Sequence, residues 1–107
     1  MSEKTPETCY ILQVDFPFVG PFGAAMSEQM DGLARDIATE AGLIWKIWTE
    51  NEETQRAGGI YLFDNAADAE RYLIKHSARL TGFGITGIEG QIFKVNPALS
   101  KIDRAPL

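Results

Sequence analysis

His76 is the one histidine of this chain and Cys9 its one cysteine, so acid–base and nucleophilic chemistry have few carriers. Imidazole titrates near neutrality. A helical period through Ala66, Ala69, Leu73, His76 and Leu80 turns the ring toward the apolar side of its helix, which makes His76 the candidate general base. Arg79 follows one turn later and is the candidate to neutralise an anion formed there. Each has a plainer use, as a packed core histidine and as a helix-end cation favoured by the dipole.

Aromatic residues supply candidate walls. Tyr61 either bonds a substrate hydroxyl or anchors its own hydroxyl at a sheet edge. Trp45 and Trp48 are candidate walls, and Phe18 and Phe22 lie on a Gly- and Pro-containing loop able to lid a pocket. Plain packing is the commoner fate of such rings. With one Cys and one His, neither an intramolecular disulfide nor a zinc site of the Cys and His type can be assembled. The acidic residues are scattered over polar faces, so no metal is expected.

A net charge of −5, a pI near 4.8 and no basic run argue against binding nucleic acid or an anionic membrane. No apolar run approaches bilayer-spanning length, and residues 1–8 are polar rather than a charged start before a greasy stretch. A cytoplasmic location is expected.

The elements that must hold these residues are legible in order. The 107 residues, 45% hydrophobic, suit one compact core, read as a flexible segment 1–8, a single domain 9–97 and a tail 98–107. Residues 9–16 alternate as a half-buried strand, with Tyr10, Leu12, Val14 and Phe16 on one face. Gly20-Pro21 breaks it. Met26, Met30, Leu33, Ala34, Ile37 and Ala41 then share a helical face, and Gly42 stands where a left-handed C-terminal cap is expected. Leu43 to Glu50 alternates again, placing Leu43, Trp45 and Ile47 on one face and Ile44 and Trp48 on the other.

A polar connection leads to residues 57–63, where Gly58 and Gly59 mark a bulge or a close backbone approach. Asn65 with Asp68 resembles a capping box opening a helix that runs to about Leu80. Residues 85–95 form a last strand, and Asn96-Pro97 ends it. Gly82-Phe83-Gly84-Ile85-Thr86-Gly87 fits a G-x-G-x-x-G fingerprint, but it follows a helix and leads into a strand, so no helix N-terminus faces a phosphate. No nucleotide site is expected. The order gives an α+β, ferredoxin-like βαββαβ fold, a four-stranded antiparallel sheet with both helices on one face. Apolar residues on both faces of the Trp strand then call for a homodimer or a ligand over the other face.

Gly20-Pro21-Phe22-Gly23, Leu43-Ile44-Trp45-Lys46-Ile47-Trp48-Thr49-Glu50, Ala57-Gly58-Gly59-Ile60-Tyr61-Leu62-Phe63 and Lys75-His76-Ser77-Ala78-Arg79-Leu80 occur in an order that resembles the YdhR-like monooxygenases. That family belongs to the dimeric α+β barrel superfamily of antibiotic-biosynthesis monooxygenases. The resemblance covers roughly residues 11–102. It implies a homodimer with facing sheets, pockets between sheet and helices, and oxygenation without metal, flavin or haem. The family pattern has Asn before Gly-Pro, where this chain has Val19, so no polar ligand contact is expected from that side chain.

Oxygenation without a cofactor requires a substrate that donates electrons itself, such as a phenol or hydroquinone. The implied activity is therefore a cofactor-independent monooxygenase of a small aromatic compound. Alternatives on the same scaffold are a non-catalytic module that binds an aromatic metabolite, and a non-redox cyclase or isomerase.

Overall fold

The computed structural model of the protein describes residues 9–107; the expected flexible segment 1–8 lies outside the described residues. The strands are β1 (Tyr10–Pro17), β2 (Leu43–Asn51), β3 (Arg56–Phe63) and β4 (Glu89–Lys94), and the helices α1 (Gly23–Gln29), α2 (Asp31–Ile37), α3 (Ala66–Gly82) and α4 (Pro97–Ile102). The strands pair antiparallel in the order β2-β3-β1-β4. This is the ferredoxin-like α+β arrangement, in which each strand–helix–strand half sets its second strand beside the other half's first, β2 beside β3 and β4 beside β1.

Alternation decides what the core contains. Leu12, Val14 and Phe16 of β1 and Tyr61 and Phe63 of β3 are buried on the helix side with Ile37, Ala69, Tyr72 and Leu80. Asn65 caps α3 as its spacing predicts, its side-chain oxygen accepting the Asp68 N–H at 2.8 Å. The first helical stretch departs from expectation, being two short helices separated at Met30 (φ −97°, ψ 6°). Gly32, a poor helix former, follows the break. Gly42 has the expected left-handed φ of +80°, but it lies beyond the end of α2 and is not its cap. It is needed for a second reason, since a β-carbon there would come within 2.4 Å of the Asp68 carboxylate.

The Trp strand departs from simple alternation. The register against β3 shifts between Leu43 and Trp45, so a bulge at Ile44 lets Leu43 pack into the helix-side core while Trp45 pairs with Leu62 and turns to the opposite face. Leu43 therefore does not share a face with Trp45 and Ile47. Beyond the bulge, Lys46 and Trp48 pair with Tyr61 and Gly59 and face the helices. Gly58 and Gly59 carry no bulge themselves; they allow close approach, since a β-carbon on Gly58 would fall 1.9 Å from the Val14 carbonyl oxygen.

On the helix-free face the registers align Trp45, Leu62, Ile11 and Phe93 in one row across all four strands, and Ile47, Ile60, Gln13 and Gln91 in the next. Cys9, Leu62 and Val95 are buried in a second cluster beside Ile11 and Trp45. The indole N–H of Trp45 donates to the Pro106 carbonyl at 2.9 Å. The tail is thus a short helix followed by a segment held beside this cluster. Among the described residues, no helix is long and apolar enough to cross a membrane.

Candidate functional site

A cavity opens between the helix side of the sheet and α1, α2 and α3. Lys46, Trp48 and Tyr61 form its sheet wall, Phe18 comes from the loop after β1, His76 from α3, and Phe83 from the end of α3. Its free volume is about 40 Å³, room for a water or two. A ring can enter only if a side chain moves, and Phe83, 62% exposed, is the least confined of the lining aromatics.

The polar groups meet over stacked rings. His76, 4% exposed, stacks on Tyr72 with centroids 5.0 Å apart, and Tyr72 lies 5.0 Å from Tyr61. The Tyr72 hydroxyl donates to the Tyr61 hydroxyl at 3.3 Å. Arg79 directs Nη2 and Nε at His76 Nδ1, at 3.0 and 3.3 Å, and its Nη1 donates to Asp36 at 2.9 Å. A guanidinium only donates, so Nδ1 must accept and the proton of neutral His76 resides on Nε2. The nitrogen left for a ligand is then a donor.

Burial first, then the charges of Lys46 and Arg79, push the His76 pKa down to about 3. Two features bear on the base role expected of His76: its Nδ1 lone pair faces Arg79, and burial with the nearby charges disfavours its protonated form. It is buried on the inward face of α3 and lines the cavity, as its spacing predicts.

Lys46 is the residue that sequence reasoning missed. Its Nζ lies 3.4 Å from the centroid of the Trp48 ring and 4.7 Å from that of Tyr61, and among the described residues it has no carboxylate partner. Burial, reinforced by the positive charge of Arg79, pushes its pKa down to about 7. The ring faces favour its charged form. Strand alternation was the signal available: once Trp48 faces the helices, Lys46 two residues earlier must as well. Tyr72 was also missed, although Ala69, Tyr72, His76 and Leu80 are the buried stripe of α3.

The remaining candidates divide. Tyr61 lines the cavity from an inner strand rather than a sheet edge, and burial, together with Tyr72, raises its pKa. Trp48 and Phe18 line the cavity. Trp45 does not, because the bulge sends it to the other face. Phe22 does not either; it stands edge-on behind Phe18 at 5.7 Å and is packing. Val19 is 82% exposed and takes no part. Among the described residues no three His, Cys, Asp or Glu side chains gather as metal ligands.

The sequence pattern described as "Putative mono-oxygenase ydhR" matches residues 11–106. Among solved structures, the fold is similar to that of a "putative antibiotic biosynthesis monooxygenase" from Deinococcus radiodurans, with a TM-score of 0.55 and 13% identity over 81% of this chain and 92% of that one. No curated protein matches the chain.

Proposed function

The chain belongs to the family described as "Putative mono-oxygenase ydhR", and from that premise we propose that it is a homodimeric, cofactor-independent monooxygenase of a small phenolic or quinol-like compound, bound between the sheet and α3. The observation that carries this reading is one cavity in which the Lys46 amine, without a carboxylate partner among the described residues, and a neutral imidazole backed by the Arg79 guanidinium stand among aromatic walls. Such a site favours a flat ring that becomes an anion.

Dioxygen is a ground-state triplet, so a closed-shell phenol reacts slowly, whereas its electron-rich anion can hand over an electron. The protein's task is to make and hold that anion away from water. The ring lies against Trp48 and Tyr61 of the sheet wall, His76 Nε2–H donates to the phenolate oxygen, and Arg79 supplies positive charge while fixing the imidazole tautomer. For an anthrone-like substrate the balance closes without a reductant. A ring CH2 becomes C=O, one oxygen atom enters the product, and the other leaves as water with the two hydrogens.

Incubating the metal-stripped protein with anthrone-like phenols and hydroquinones while following dissolved oxygen tests this. Uptake that survives a chelator and falls at least about tenfold in His76→Ala, with the fold retained, is expected. Tight binding without uptake would instead leave a binding module, and product formed under argon a cyclase or isomerase.

A further inference from the structure

Lys46 has no assigned use, yet it is the group best placed to act on a bound ring. Its amine rests on the faces of Trp48 and Tyr61, in the slot a substrate ring would occupy. A largely desolvated ammonium normally acquires a carboxylate partner, and the carboxylates of α2, of the loop after it and of the end of β2 have other partners. Asp36 is held by Arg79 and Glu40 by Lys75, while the Glu50 carboxylate accepts the Gly23 N–H at 2.8 Å. The titratable groups sharing the cavity with Lys46 are Tyr61 of β3 and His76 of α3; Arg79 of α3 stands behind His76. None offers it a negative charge in the resting protein.

We propose that Lys46 is the proton acceptor for the substrate's phenol, so that an incoming hydroxyl supplies the anion this amine lacks. The proposal rests on the phenolic reading above and deepens it. The phenol O–H breaks, its proton passes to the Nζ lone pair, and the products are a phenolate and an ammonium side by side. No oxidant or reductant is consumed in this step. Near neutrality the resting amine carries a substantial uncharged fraction, because burial and Arg79 hold its pKa at about 7. Once the pair forms in a water-poor cavity, mutual attraction favours both charges. His76 cannot compete for the proton, since Arg79 donates to its free lone pair.

The probe is 4-chlorophenol, added to the full-length protein at pH about 8, where the free phenol is un-ionised and Lys46 is mostly neutral. Equilibrium dialysis reads binding, ultraviolet absorbance reads the ionisation of the bound probe, and an indicator dye in weak buffer reads released protons. The wild type is expected to bind the probe with a phenolate-to-phenol ratio at least about tenfold that in water, and to release almost no proton. Lys46→Met should bind it as the phenol. Lys46→Arg keeps the charge but takes no proton, so it should bind the phenolate and release about one proton per probe.

A wild-type probe that stays un-ionised, equal ionisation in Lys46→Met, or full proton release by the wild type would overturn the proposal while leaving the phenolic site standing. Failure of the wild type to bind the probe would bring down the phenolic reading and this proposal together.

Discussion

His76 and Arg79 were legible as neighbours on an inward-facing helix, because a helix repeats predictably and His76 is unique. The chemistry of the pair was not legible. A histidine's chemistry depends on which nitrogen is occupied, and the Arg79 contact at Nδ1, which decides that, is not encoded in helical spacing. Lys46 escaped notice because a charged residue in an alternating strand is ordinarily read as solvent-facing. The burial of His76 has a thermodynamic consequence with a definite sign. Its folded-state pKa of about 3 lies below the unfolded value of 6.5, so between those limits the unfolded chain binds the extra proton and stability rises with pH. Urea unfolding at pH about 7 and about 4 should show His76→Gln losing about 2–3 kcal/mol less than the wild type on acidification. Equal losses would show that the ring titrates freely in the folded state.

At the scale of elements, the alternation of β1 and the cap of α3 followed directly from residue type and spacing. The exceptions came from local geometry that a periodic pattern does not encode. The bulge at Ile44 reversed Leu43 relative to Trp45, and it is this irregularity that places Trp45 outside the cavity. The break at Met30 divided one apolar stripe between α1 and α2. Gly58 and Gly59 were recognisable as a point of close approach, but what approached was not. With a β-carbon of Gly58 due to fall 1.9 Å from the Val14 carbonyl oxygen, Gly58→Ala must push β1 and β3 apart. A loss of about 2–4 kcal/mol in denaturant unfolding is expected, and a change under about 0.5 kcal/mol would show that the strands yield freely.

For the whole molecule, the ferredoxin-like topology was legible because two strand–helix–strand halves joined by a hairpin leave few un-knotted arrangements. Less legible was how far the chain covers its own sheet. The C-terminal segment, held by Trp45 through the Pro106 carbonyl, covers part of the helix-free face. Ile47 (53% exposed) and Phe93 (43% exposed) remain uncovered there. At the opposite end of that face Arg56 bridges Asp15 and Glu89. An apolar band grading into a charged rim is the anatomy of a sheet-to-sheet interface, which supports the proposed homodimer. Phe93→Lys should shift sedimentation at micromolar concentration from dimer to monomer while circular dichroism is unchanged; a wild type that already sediments as a monomer would remove the second sheet from the account.

The claim on which the rest depends is that the cavity lined by Lys46, Trp48, Tyr61 and His76 oxygenates an aromatic ring with dioxygen alone. Turnover of an anthrone-like phenol by the metal-stripped protein under isotopically labelled dioxygen, followed by mass spectrometry of product and water, tests it most directly. The account predicts one labelled atom in the product and one in water. A product whose new oxygen carries no label, or a bound phenol recovered unchanged, would contradict it.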